Sequence, residues 1–251
     1  MKTRRRLSVP ACRSNVCDIL RYDRYVPSYA HDRICNVAEL IEARRNASAR
    51  ISWPAVFMKA YAITAQKYPR TKQTWMSWPW AHLYEHDEHV GTLVVHREFE
   101  NDDWLFWAQL RQLDSRALPE IQSDIDRFQT DPVEKVYRRQ LWVARQPAIL
   151  RRLFWWMTFQ VSGNKKCKRL GTFFLSTISG GGAEIQNPPS MLTTGFTYGP
   201  ISEAGETRVT ITYDHRMQDG HHIAEILATL EQTLQTDLLA ELRGLSRSQA
   251  A

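Results

Sequence analysis

Val209, Ile211 and Tyr213 alternate with Thr210 and Thr212, and from about His222 the residues Ile223, Ile226, Leu227, Leu230 and Leu234 share one helical face. A period of two that passes into a period of 3.6 across one short turn is a strand feeding an amphipathic helix. Both apolar faces need a partner, so the unit requires a sheet with helices laid on it.

Two strand-like runs precede it, 170–178 and 191–201, separated by glycine, proline and acidic turns. Further upstream the β-branched run 89–98 reads as another strand. Helical spacing appears in 36–45, where Val37, Leu40 and Ile41 align and Asn36 can cap. It recurs in 51–69, where Ser52 can cap, Pro54 suits a first turn, and Val56, Phe57, Ala60 and Ile63 form one side. Residues 102–129 carry Leu105, Ala108, Leu110, Leu113, Ile121, Ile125 and Phe128, which predicts one long helix bent near Pro119. Residues 1–35 are basic and aromatic with no clear period, which predicts an extended arm with one strand. There is no internal repeat and no low-complexity linker, so the expectation is one α/β domain over 1–251. Residues 1–26 form its N-terminal arm and 136–171 a basic, aromatic insertion.

With 43% hydrophobic and 24% charged residues, the composition excludes a disordered tail and a polytopic membrane protein. The net charge of +6 suits nucleic acid, anionic lipid or an anionic cofactor and does not choose among them. Cys12, Cys17, Cys35 and Cys167 form no Cys-x-x-Cys pair, so free thiols are expected. The start, "MKTRRRLSVPAC", lacks the apolar stretch of a secretory leader, so the expected location is the cytoplasm.

The strand 208–215 delivers His215 to its carboxyl end, where a side chain can face a cleft while its backbone stays fixed. A neutral imidazole there, with an ordinary pKa near 6.5, can take a proton from a thiol, hydroxyl or amine. Taken singly, a histidine by a turn is more often surface or hydrogen-bonded core, and Asp219-Gly220 is an ordinary turn signal. Their order shifts the balance. Asp-His-Arg-x-x-Asp-Gly at a strand end, followed by an apolar-faced helix, resembles the active-site signature of the dihydrolipoyl acyltransferase catalytic domains of 2-oxoacid dehydrogenase complexes. It is also similar to the signature of chloramphenicol acetyltransferase.

Other segments extend the resemblance. "GTFFLSTISGGGAEIQNPPSMLTTGFTYGPI" (171–201) looks like the family's Thr-Phe-x-x-Ser segment, glycine loop, Asn-Pro-Pro and strand, and 51–69 looks like its long helix. The resemblance implies a chloramphenicol acetyltransferase-like two-layer sandwich, with a mixed β-sheet packed against helices. It implies His215 as general base, Ser176 as the hydroxyl that steadies the oxyanion, and Asp219 as the residue that holds the loop by pairing with an arginine. It also implies a homotrimer or a larger trimer-based assembly, because histidine and serine come from neighbouring subunits. The activity implied is CoA-dependent acyl transfer from a thioester to an unidentified thiol, hydroxyl or amine acceptor. Acyl-CoA is then a substrate, and neither a metal nor a covalently bound lipoyl group is expected.

Departures qualify the role. The sequence contains no lipoyl domain and no Ala/Pro-rich linker, so a stand-alone catalytic domain is expected. In 136–171 the apolar stretch Leu153 to Phe159 is too short for a bilayer span of about 20 residues. Arg151, Arg152, Lys165, Lys166, Lys168 and Arg169 flank it and could meet anionic lipid, CoA phosphates or water. A buried helix with a solvated basic loop and a hydrophobic-acceptor or membrane-surface role stand level here. The alternatives carried forward are therefore a non-catalytic trimeric or cage-forming scaffold and a lipid or glycolipid acyltransferase peripheral to the inner face of the membrane. The run "RRRL" does not align with the arginine that would pair with Asp219.

His82, His86 and His89 in "HLYEHDEH" have metal-like spacing but lack His-Glu-x-x-His order and read as surface residues. "SGGGAE" (179–184) lacks the Gly-Lys-Ser/Thr of a phosphate cradle and reads as a turn. Trp75, Trp78 and Trp80 near Arg70 and Lys72 could stack bases, but nothing else supports a nucleic-acid partner, and core or pocket wall is the expectation.

Overall fold

The computed structural model describes residues 8–247, so the Arg4–Leu7 run lies outside the described residues. Helix α1 (Ala11–Asp23) leads to strand β1 (Ser28–Asn36), helix α2 (Ala38–Arg45) and helix α3 (Trp53–Gln66). The N-cap of α2 is Val37 rather than Asn36, but Asn36 Oδ1 still accepts the Ala38 N–H of its first turn at 3.0 Å. Ser52 makes no side-chain cap bond, and its N–H donates to Gln122 Oε1 at 2.7 Å. A small hairpin follows, β2 (Gln73–Met76) and β3 (His82–Glu85), then a long one, β4 (Val90–Phe99) and β5 (Asp102–Arg111).

Helices α4 (Leu118–Thr130), α5 (Val133–Val136), α6 (Arg138–Ala144), α7 (Ala148–Trp156) and α8 (Gly163–Leu170) come next, with Met157–Val161 as a π-helical link between the last two. The chain then alternates through β6 (Phe173–Leu175), β7 (Thr194–Tyr198) and β8 (Glu206–Asp214). It ends in α9 (Gly220–Thr233) and α10 (Leu239–Arg247).

Six strands make one mixed sheet in the order β1-β8-β7-β6-β4-β5. β6 runs parallel to both its neighbours, β4 and β7, and the other pairs are antiparallel. One face buries Leu93, Phe106, Phe173, Phe196 and Ile211 against Phe57 and Tyr61 of α3 and Ile223 and Leu230 of α9. The other face carries a smaller core of Ile19, Trp155, Phe159, Leu170, Phe174 and Leu192. The expected mixed sheet packed against helices is present.

The single long helix expected over 102–129 is instead strand β5 followed by α4. Glu100 and Asn101 have φ of 55° and 60°, and Phe99 pairs with Asp102. Two left-handed residues in a two-residue loop are the turn whose twist suits a hairpin. Along β5, Trp104, Phe106, Ala108 and Leu110 point into the larger core while Leu105 and Trp107 face the other side. Apolar side chains on both faces gave a helix-like count from a strand. Pro119 lies in the first turn of α4, where its missing N–H is harmless, and bends nothing.

The N-terminal arm is also corrected, since residues 11–23 are helical rather than extended. Helix α1 lies over the second face and is fixed to α7 by polar groups. The Arg151 guanidinium donates to the buried Asp18 carboxylate, and Trp155 Nε1 donates to Asn15 Oδ1 at 3.0 Å. Helix α1 and the 136–171 segment therefore form one layer.

β7 admits that layer at Gly195, which pairs with Phe174 of β6. A Cβ there would sit 2.1 Å from the Phe174 ring. Gly195→Ala is expected to push the ring out of place and cost about 1–3 kcal/mol, as overpacking does. A thermal melt should register this as a fall of roughly 2–4 °C per kcal/mol.

Candidate active site

The His215 backbone N–H donates to the Pro27 carbonyl at 2.9 Å, which extends the β1–β8 ladder by one residue. The chain then turns sharply, with Met217 N–H and Gln218 N–H both donating to the Asp214 carbonyl at 2.9 and 3.1 Å. Asp214 is buried, and its carboxylate takes the Arg216 guanidinium in a two-point grip, Nε to Oδ1 at 2.9 Å and the second nitrogen to Oδ2 at 2.6 Å. It also accepts the Arg216 N–H at 3.0 Å. Charge-assisted, two-point contacts of this kind set geometry firmly. Arg216 thus holds the loop from the strand side through Asp214, and among the described residues no arginine pairs with Asp219.

The His215 ring contacts Tyr29 edge-on, with centroids 5.0 Å apart. Its Nδ1 lies 2.9 Å from the Gln218 carbonyl oxygen. A carbonyl can only accept, so Nδ1 carries the hydrogen and Nε2 keeps a free lone pair. Asp219 Oδ1 is 3.5 Å from the same Nδ1, too far for a strong hydrogen bond. Gly220, the first residue of α9, leaves room for His31 of β1, whose Nε2 would lie 3.0 Å from a Cβ there. Tyr29 is a neighbour of His215 that the sequence pattern did not single out, and the pattern contains Asp214 and Arg216 without giving either a role. β1 lay in a stretch without apparent period, and nothing in Asp-His-Arg says which carboxylate the arginine takes.

Ser176 follows β6 and points to the face that Phe174 occupies. It borders a cavity of about 130 Å³ between the sheet and α1, walled by Val94, Leu105, Trp107 and Phe174 on one side and Val16, Ile19 and Leu20 on the other. Thr92 also lines it but donates its hydroxyl to the Leu170 carbonyl at 2.6 Å.

Within one chain Ser176 and His215 do not meet. The register Leu175↔Phe196 and Thr197↔Thr210 puts Ser176 level with Thr210, five residues along β8 from His215. At ~3.3 Å per residue and ~4.8 Å per strand, the offset is about 16 Å along the sheet and about 10 Å across it. A reaction that uses both groups must draw them from different copies.

The remaining candidates are placed differently. His86 and His89 are buried rather than on the surface, and burial pushes both imidazoles down to about 4. His82 stays in β3 with Nδ1 2.9 Å from the Trp80 carbonyl. The cysteines are free, with Cys17 alone exposed; burial drives the Cys35 thiol up to about 12 and the Cys167 thiol to about 11. Trp75 lies under the Arg216 guanidinium at 5.2 Å. Trp78 and Trp80 are exposed, and Gly180, Gly181 and Gly182 border open space.

The 136–171 segment is mixed. Arg151 and Lys166, expected in a solvated basic setting, are buried, and burial lowers the Lys166 ammonium to about 8 while it donates to Thr74 Oγ1 at 2.7 Å. Outward, Ile149, Leu150, Leu153 and Trp156 of α7 make an exposed apolar stripe that meets Trp78, with the Trp78 and Trp156 rings 6.1 Å apart. Among the described residues no helix is long and apolar enough to cross a membrane.

No protein-family model matches the sequence, and no curated protein matches it. Solved structures do. A truncated catalytic core of the 2-oxoacid dehydrogenase multienzyme complex from Thermoplasma acidophilum superposes with a TM-score of 0.68 at 12% identity, over 93% of this chain and 99% of that one. The dihydrolipoamide acetyltransferase of Azotobacter vinelandii, studied for the role of a serine, a histidine and an asparagine in its catalytic mechanism, gives 0.66 at 14% identity over 97% and 95%. A chloramphenicol acetyltransferase gives 0.52 at 12% identity over 86% and 94%. The chain therefore has the chloramphenicol acetyltransferase-like fold shared by these catalytic cores.

Proposed function

We propose that the protein is an acyltransferase that moves an acyl group from acyl-CoA to a thiol, hydroxyl or amine acceptor, at sites completed between copies of a cytoplasmic homotrimer. The observation that carries this reading is the tautomer of His215, with Nδ1–H on the Gln218 carbonyl and Nε2 free, at the end of a strand of the sheet that also presents Ser176 in a cavity.

In this reading Nε2 takes the proton of the acceptor as its heteroatom attacks the thioester carbonyl carbon. The carbonyl π pair moves to oxygen, and the Ser176 hydroxyl donates to that oxyanion. When the tetrahedral centre collapses the carbon–sulfur bond breaks, the imidazolium returns its proton to the leaving thiolate, and CoA and the acylated acceptor remain. Asp219 sits 3.5 Å from Nδ1 in the same turn, and the Asp214–Arg216 grip keeps that turn in place. The resemblance to acyltransferase cores supports the class, while the roles of the individual residues rest on the site itself, because fold alone does not assign chemistry.

The test is release of free CoA from acetyl-CoA in the presence of a small alcohol, amine or thiol, together with a melt in the presence of CoA. Release above the buffer rate and a raised melting temperature are expected. Absence of both leaves the non-catalytic scaffold as the better reading.

One observation favours a membrane-surface setting. Between Glu134 and Glu184 there is no acidic residue, and Arg138, Arg139, Arg145, Arg152, Lys165 and Lys168 belong to the same stretch as the exposed apolar stripe of α7. Apolar insertion plus basic side chains is what an anionic bilayer surface attracts. The protein is expected to sediment with phosphatidylserine vesicles at low salt and to be released near 1 M salt, where the screening length falls to about 3 Å. A supernatant fraction unchanged by the vesicles counts against this setting.

A further inference from the structure

We propose that the cavity beside Ser176 holds the hydrocarbon part of the acyl group and is sized for about six carbons; this rests on the acyl-transfer reading above. Alternate residues of three neighbouring strands build its floor, with Val94 of β4 paired to Trp107 of β5 and Phe174 of β6 adjoining. Val16, Ile19 and Leu20 of α1 roof it, and no charged side chain lines it. Thr92 spends its hydroxyl on Leu170. Among the described residues Ser176 is therefore the lining hydroxyl left to meet a ligand, and it stands at the cavity's border.

An apolar cavity with one free donor at its edge fits a ligand with an apolar body that ends in one acceptor oxygen, which describes an acyl chain and its carbonyl. The tetrahedral centre makes the same assignment. Of its four substituents, the oxyanion faces Ser176, while the entering heteroatom must reach a base that its own chain does not place there. The sulfur leads to a large polar carrier that an uncharged chamber of this size excludes. Only the acyl carbon chain remains to enter. At about 130 Å³ the chamber is close to the ~150 Å³ apolar cavity that accommodates benzene. An acetyl group leaves most of it empty, and a twelve-carbon chain overfills it.

Each methylene buried there is worth about fourfold, so on the order of 100-fold in kcat/KM is expected between acetyl-CoA and hexanoyl-CoA, with dodecanoyl-CoA falling back. Leu20 of the roof is 39% exposed, so Leu20→Trp is tolerated by the fold and should move the optimum toward shorter chains. Val16→Ala should move it toward longer ones, which keeps the test alive if the first variant misfolds.

A wild-type optimum at acetyl-CoA, or a preference that neither variant moves, overturns the proposal. Calorimetry with hexanoyl-CoA and with CoA separates it from the activity. If no acyl-CoA is turned over yet hexanoyl-CoA binds at least tenfold tighter than CoA, the chamber assignment stands and acyl transfer falls. Equal binding with no turnover removes both.

Discussion

Replacing His215 by alanine is expected to lower acyl transfer by about 10²–10⁴-fold, the usual contribution of a positioned general base. The fold should survive, because the ring is partly exposed and touches Tyr29 and Tyr213 by their edges rather than filling the core. CoA release measured beside a thermal melt separates the two effects. Activity within a few-fold of wild type, with an unchanged melt, removes the imidazole from the mechanism. His215→Gln keeps a polar side chain of comparable length, cannot shuttle the proton, and should be as inactive as alanine.

Ser176→Ala should cost about 10²–10³ in kcat, the loss that follows removal of one oxyanion donor. Its more telling consequence comes from mixing. Since Ser176 and His215 are about 16 Å apart along the sheet of one chain, neither variant can supply a whole site by itself. A seam that takes Ser176 from the His215→Ala chain and His215 from the Ser176→Ala chain is intact. Random assembly of equal amounts into closed rings gives such seams roughly a quarter of the time. Refolding the two inactive variants together should therefore recover roughly a quarter of wild-type activity, whereas mixing them after assembly should recover none at first. Two inactive variants that assemble normally and never complement would show that the site is built within one chain.

The parts of the fold that could be read from the sequence are those whose side chains face one core. β8 and α9 show clean periods because Val209, Ile211 and Ile223 all point the same way. β5 hid its period because Trp107 and Leu105 border the cavity while Trp104 and Phe106 fill the opposite core. α1 hid for another reason. Its inward residues include Asn15 and Asp18, polar groups whose burial makes sense only once Trp155 and Arg151 arrive from far along the chain. In the site, His215 and Ser176 could be named from their motifs. The tautomer, the Asp214–Arg216 grip and the cavity depend on a backbone carbonyl, a register and a helix that no local pattern encodes.

The ceiling of the cavity has an unusual attachment. Asp18 ties α1 to Arg151, on the same short helix that turns Ile149 and Leu153 outward. Separating two such desolvated charges is strongly unfavourable, so the two helices travel together. A load placed on the outer stripe is thus felt at the α1 side of the cavity beside Ser176.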